Sequence, residues 1–258
     1  DLHSFPTRRS SDLDLDADWY SQRSSIKKIV VKEGITDIGS NAFANCSNVT
    51  EATLNNNGNI DHSAFADCSA LTRVNIGPRV TEFKAYIFYN SLYGVTTCYY
   101  PFSNCPKLST INVTDLKAYC SISGLEYLTD SSYGTAEVKT LMVNGKTVGV
   151  NEILYLPEGM TSYNNYALRY FSNVQSVCLP STMITVSGFG AHKYLREVTL
   201  NNNGNIDYNA FADCSALTRV NIGPGVTEFT AYFNTYSGVT TSYYPFSNCP
   251  KLSTINVT

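Results

Sequence analysis

Apolar residues recur along this chain in a short, fixed register. Ile29 and Val31 alternate with polar neighbours, and the same spacing returns in Val49-Ala52-Leu54 and Leu71-Val74-Ile76. Alternation over so few residues predicts short strands with one buried face. The last apolar residue of each group lies 23 (Val31 to Leu54) and then 22 (Leu54 to Ile76) residues after its predecessor. Between strands the chain carries a second apolar group, Ile35 and Ile38 leading to Phe43. One such unit can bury its apolar positions only against the units before and after it, so stability is shared between neighbours. The strands are therefore expected to stack in parallel, at roughly 4.8 Å per repeat.

Ala64-Phe65-Ala66-Asp67-Cys68-Ser69-Ala70-Leu71-Thr72-Arg73-Val74-Asn75-Ile76 returns unchanged at Ala210 to Ile222, and a looser version runs from Ala42 to Leu54. The motif is A-F-x-x-C-x-x-L-x-x-V-x-I, within the ~20–29 residues of leucine-rich repeats. It resembles the BspA-like branch of those repeats over most of residues 26–258, although most repeats lack the final Asn of the general pattern. The resemblance implies an α/β repeat solenoid: short parallel strands, a mostly irregular or short-helical convex side, and hairpin and aromatic insertions.

Three insertions break the period. Residues 84–100 are dense in aromatics, and Pro101-Phe102-Ser103-Asn104-Cys105 then restores the motif. Residues 115–150 hold Asp115, a candidate N-cap for a short helix through Leu116, Ala118 and Tyr119. They also hold Leu141 to Val148, where Asn144-Gly145 predicts a type I′ hairpin turn. The resemblance supports that assignment, because the family often carries a related Asn-Gly hairpin. Repeats resume at Leu154-Leu156 and Val174-Val177-Leu179 without the motif cysteine. Leu54–Phe83 then matches Leu200–Phe229 at 27 of 30 positions with an offset of 146, and residues 230–244 form a shorter copy of the aromatic insert. A super-repeat, 54–114 and 200–258, thus overlies the short one. Any continuation is expected to begin with an insert like that at Asp115.

Charged residues are 15% and the net charge is −3, with no basic block, which argues against a nucleic-acid partner. No apolar run approaches the ~18 residues of a membrane span. Residues 1–13 back-translate into one frame of a common sequencing adapter and are set aside from the fold. The true N-terminus is then expected to be missing, so a signal peptide is not observable. Residues 14–25 read as a disordered leader, and 26–258 as a single repeat domain.

Of the eight cysteines, Cys46, Cys68, Cys105, Cys214 and Cys249 share one motif slot. They are expected to form a buried structural column, since free cysteine packs as a small hydrophobe. No C-x-x-C pair suggests zinc, no cofactor is implied, and bridging at Cys98, Cys120 and Cys178 stays open. His62 becomes Tyr208 in the second copy, and His192 lies in a degenerate repeat, so both read as surface residues. Asp61, Asp67, Glu82 and their copies fit turn and cap roles. The Asn-rich turns are a weak calcium candidate, because too few carboxylates accompany them.

The aromatic inserts are the strongest binding candidates: Tyr86, Phe88, Tyr89, Tyr93, Tyr99 and Tyr100, with Tyr232, Phe233, Tyr236, Tyr243 and Tyr244. Tyrosine offers large amphipathic contact area and is enriched at interfaces. The plainer expectation is that most of these rings fold back over their own repeat and one or two stand exposed. Outward strand positions, Arg73 and Arg219 among them, form a second, polar candidate face. No catalytic set emerges. The resemblance implies a non-enzymatic cell-surface or secreted protein that adheres to an extracellular protein or glycoprotein. Two alternatives stand beside it: a spacer carrying another domain, and an accessory glycan-binding module of a surface enzyme.

Overall fold

The structure is a computed structural model that describes residues 20–92, 94–129, 140–149, 151–236 and 239–258. The adapter-like residues 1–13, Tyr93 and part of the 115–150 insertion lie outside the described residues. The chain forms two compact units, Asp1–Gly145 and Lys146–Thr258.

The first unit opens with a 3₁₀ turn, Tyr20–Ser25, whose Ser24 carbonyl accepts a hydrogen bond from the Asn48 amide. Its strands are β1 (Lys28–Val31), β2 (Glu51–Leu54), β3 (Asn59–Ile60), β4 (Arg73–Ile76), β5 (Glu82–Phe83), β6 (Tyr86–Asn90), β7 (Val95–Tyr99), β8 (Thr110–Val113) and β9 (Thr140–Val143). Strands β1, β2, β4, β8 and β9 pair in parallel in that order. Their register aligns Ile29, Ala52, Val74, Ile111 and Leu141 in one row, and every member is buried. A second parallel ladder, β3 with β5, aligns Ile60 with Phe83 on the other side of each repeat. The I-x-V alternation is thus the inward face of a sheet one strand wide per repeat. Strand β9 is the first half of the expected Asn-Gly hairpin, and it also supplies a fifth rung to the main sheet. The chain reverses after it at Asn144 (φ 50°) and Gly145 (φ 76°), the left-handed pair a type I′ turn requires.

Helix is scarce. Among the described residues the α-helices are α1 (Leu116–Tyr119) and α2 (Glu126–Thr129), both in the 115–150 insertion. Asp115 caps α1, its Oδ1 accepting from the Ala118 N–H at 2.9 Å. The repeats themselves are short strands joined by turns.

The second unit contains β10 (Lys146–Thr147), β11 (Leu154–Tyr155), β12 (Ser176–Cys178), β13 (Thr185–Val186), β14 (Glu197–Leu200), β15 (Gly204–Ile206), β16 (Arg219–Ile222), β17 (Val226–Phe229), β18 (Tyr232–Tyr236), β19 (Val239–Tyr243) and β20 (Thr254–Val257). Its main sheet runs β11-β12-β14-β16-β20, and β13-β15-β17 form the second ladder.

Two columns hold the repeats together. In the first unit the motif rings Phe43, Phe65 and Phe102 stack, with centroids 5.2 and 5.0 Å apart. In the second, Tyr163, Phe189, Phe211 and Phe246 do the same at 4.0, 5.3 and 5.5 Å. Each such pair contributes about 0.5–1.5 kcal/mol beyond the area it buries. Beside the rings runs the cysteine slot. Cys68 Sγ donates to the Phe43 carbonyl at 3.3 Å and Cys105 Sγ to that of Phe65 at 3.2 Å. Cys214 and Cys249 repeat this on Phe189 and Phe211. Burial pushes the thiols up, to about 11 at Cys46 and about 12 at Cys105 and Cys214.

The residue before each motif cysteine is left-handed: Asn45, Asp67, Asn104, Asp213 and Asn248, with φ between 55° and 62°. Asn and Asp tolerate that conformation best among residues with a side chain, which explains the Asn or Asp of the motif.

Candidate functional site

The aromatic inserts are antiparallel hairpins. β6 and β7 pair Tyr86 with Tyr99, Ile87 with Cys98, Phe88 with Thr97 and Tyr89 with Thr96. β18 and β19 pair Tyr232 with Tyr243 and Phe233 with Ser242. The expectation that most rings fold back is overturned. Tyr86, Phe88, Tyr89, Tyr99, Tyr232, Phe233, Tyr236, Tyr243 and Tyr244 are between 40% and 82% exposed. Both faces of each hairpin carry large side chains, and the repeat beneath can cover only one of them. Tyr100 behaves differently: it is half-buried and stacks on Tyr127 at 5.3 Å. Tyr93 lies outside the described residues.

A cleft of about 630 Å³ opens at the foot of the first hairpin. One wall is aromatic. His62 packs 5.3 Å from Tyr86 and 6.4 Å from Tyr99, and the two tyrosines are 6.2 Å apart. The other wall is polar, formed by Asn41, Asn45, Asp67 and Asn104. Left-handed backbone at all four positions helps place these short side chains along it. Asn104 Nδ2 donates to Asp67 Oδ1 at 3.0 Å. At the second hairpin Tyr208, Tyr232 and Tyr243 repeat the ring set, with centroids 5.1 and 6.0 Å apart. Asn248 likewise donates to Asp213 at 2.9 Å.

Arg73 and Arg219 are exposed on the outer face of their sheets. Much of the polarity around them is engaged within the sheet. Asn75 Nδ2 donates to Glu51 Oε1 at 2.6 Å, and Asn112 Nδ2 donates to Asn75 Oδ1 at 3.0 Å. Asn221 and Asn256 repeat the ladder in the second unit. The hydrogen bond from Asn75, with Lys28 3.1 Å away, holds the Glu51 carboxyl below its ordinary range.

His192 corrects the reading of both histidines as surface residues. It is 1% exposed and stands three residues after Phe189, in the slot that cysteine fills elsewhere. The Tyr163 hydroxyl accepts from the Leu168 N–H at 3.1 Å and lies within hydrogen-bond distance of His192 Nε2, at 3.2 Å. Burial, reinforced by Arg169, lowers the His192 pKa to about 3 and keeps it neutral. His62 is half-buried, with Ser40 Oγ 3.2 Å from Nδ1. The spacing Phe189-His192-Leu195-Val198-Leu200 was the signal that could have placed His192 in the core.

Among the described residues no group of three or more His, Cys, Asp or Glu side chains could hold a metal ion. Nor is any helix there long and apolar enough to cross a membrane. All eight cysteines are free thiols.

A sheet one strand wide per repeat, with a ring and a thiol stacked at each motif, defines a leucine-rich-repeat fold. The BspA type leucine rich repeat region matches residues 14–95 and 148–240 in six copies, more than half of the sequence. The chain belongs to that family. Three solved structures resemble it distantly. A leucine rich cell surface protein from Faecalibacterium prausnitzii A2-165 is 16% identical, over 90% of this chain and 79% of that one, with a TM-score of 0.29. A leucine-rich repeat protein from Eubacterium ventriosum ATCC 27560 is 16% identical, over 96% and 76%, at 0.31. One from Bacteroides ovatus ATCC 8483 is 14% identical, over 91% and 61%, at 0.28. No curated protein matches the sequence.

Proposed function

We propose that the chain is a non-enzymatic, cell-surface or secreted leucine-rich-repeat solenoid that adheres to an extracellular protein or glycoprotein through its two aromatic hairpins. One observation carries the reading. Large aromatic side chains that could have covered the repeats stand in solvent instead, on paired strands that hold their spacing. Exposed apolar clusters of this kind mark interaction surfaces. The outer sheet face, with Arg73 and Arg219, is the weaker candidate, because its amides and carboxylates are engaged with one another. The family resemblance supports the surface location.

The test immobilises a panel of matrix proteins and secreted glycoproteins and measures binding of the full chain. A variant carrying Tyr86→Thr, Tyr99→Thr, Tyr232→Thr and Tyr243→Thr keeps β-branched residues in the strands while removing four rings. Binding by the native chain and its loss in the variant support the proposal. Equal binding by both moves the contact to another face. Absence of binding by either leaves the spacer as the better description.

A further inference from the structure

We propose that the cleft at the foot of the first hairpin binds a neutral oligosaccharide, and that the second hairpin carries a weaker copy of the same site. This rests on the reading of the hairpins as binding elements and narrows the ligand to a carbohydrate.

The rings argue for a flat ligand face over a cation. His62, Tyr86 and Tyr99 lie 5.3–6.4 Å apart, centroid to centroid, and are mutually tilted by 34–54°. At such distances rings touch one another. An aromatic cage must instead leave room for a cation between its faces. The rings therefore form a continuous platform, on which the apolar C–H face of a pyranose can lie. The facing wall supplies hydroxyl partners. Among the described residues the side-chain amides of Asn41 and Asn45 make no hydrogen bond, and each offers a donor and an acceptor. Asp67 spends Oδ1 on Asn104, and its second oxygen can accept from a sugar hydroxyl. Planar amides and carboxylates suit adjacent hydroxyls, and no Lys or Arg lines this cleft to attract an anion.

The site is also larger than one sugar. A second cleft of about 350 Å³ shares Asn45 and Asp67 with the first and is lined beyond them by Ser21, Arg23, Ser24 and Ser47. Volumes of about 300–1,000 Å³ are usual for small-ligand sites.

The duplication adds an internal comparison. The second unit keeps the platform, as Tyr208, Tyr232 and Tyr243, and keeps the Asp213–Asn248 pair. It lacks the amides: Ala191 stands where the first copy has Asn45, and Ser187 where it has Asn41. The second site should therefore stack a sugar with fewer hydrogen bonds.

The full chain is applied to an array of defined neutral, sialylated and sulfated glycans, and the best neutral oligosaccharide is then titrated by calorimetry. Tyr99→Thr keeps a strand-forming residue, and Asn45→Gly keeps the left-handed backbone, so both should fold, which circular dichroism checks. Tyr99→Thr is expected to weaken the stronger site about tenfold, the value of one stacking ring. Asn45→Gly should also weaken it, whereas Tyr243→Thr should leave it unchanged. Binding confined to anionic glycans overturns the inference, as does neutral-glycan binding that survives both Tyr99→Thr and Asn45→Gly. If no glycan binds but a glycoprotein does, equally before and after enzymatic deglycosylation, the carbohydrate inference fails, and the hairpin reading stands if the four-ring variant loses that binding and fails if it does not. If neither binds, both fail.

Discussion

Protonation of His192 is opposed by burial, and that opposition should make the second unit acid-sensitive. In the unfolded chain the ring titrates near its ordinary value of about 6.5. In the folded chain it titrates at about 3. Between those values the unfolded chain binds a proton that the folded chain does not, so stability falls as the pH falls. The effect is small above pH 6.5 and grows by about 1.4 kcal/mol per pH unit below it. Going from pH 7 to pH 5 should therefore cost about 2 kcal/mol from this residue alone. The assay is urea unfolding at both pH values for the native chain and for His192→Cys, which places the motif residue in the slot. The smaller side chain leaves a gap, but its cost is the same at both pH values and cancels from the difference. Carboxylates contribute equally to both proteins and cancel too. The native chain should lose about 2 kcal/mol more than the variant on acidification. Equal losses would refute the assignment of a neutral, buried His192.

Other consequences can be checked in the same way. Ala191 is left-handed (φ 58°) in a slot that elsewhere holds Asn or Asp, so Ala191→Asn should stabilise the second unit by about 1 kcal/mol in urea unfolding. A Cβ on Gly58 would lie 2.7 Å from the Thr36 carbonyl oxygen, so Gly58→Ala should destabilise the first unit by about 1–3 kcal/mol, read as a lower urea midpoint. Cys98 and Cys249 are partly exposed, but burial raises the Cys249 pKa and its thiol donates to the Phe211 carbonyl, whereas Cys46, Cys68, Cys105, Cys120 and Cys214 are buried with raised pKa values. Iodoacetamide at neutral pH should modify Cys98 first, and Cys98→Ser, the residue found in the second copy, should remove that fast phase.

The repeat was legible because its signal is redundant. Each strand announces itself through two or three apolar positions, and the Phe and Cys that precede it confirm the register. The turn at Asn144-Gly145 and the cap at Asp115 were legible for a local reason, since both depend on a residue's own backbone preferences. His192 was missed because its repeat has lost the motif alanine and cysteine, and a histidine does not announce burial. The fifth rung, β9, was hidden by the long insertion between it and β8, so nothing in its own residues names its partner. Exposure of the hairpin rings was hidden for a different reason. Tyr86-Ile87-Phe88-Tyr89 has no polar alternate, so the pattern specifies a strand without saying which face is covered. The cleft was beyond reach altogether, because it joins His62 and Asp67 to Tyr86 and Tyr99 across an insertion.

We propose that the hairpins, and not the outer sheet faces, meet the ligand. Hydrogen exchange of the full chain, measured free and saturated with a partner from the binding panel, tests it most directly. Exchange should slow in residues 84–100 and 230–244, with the strands around Arg73 and Arg219 unchanged. Slowed exchange in Arg73–Ile76 and Arg219–Ile222, with the hairpins unaffected, would contradict it.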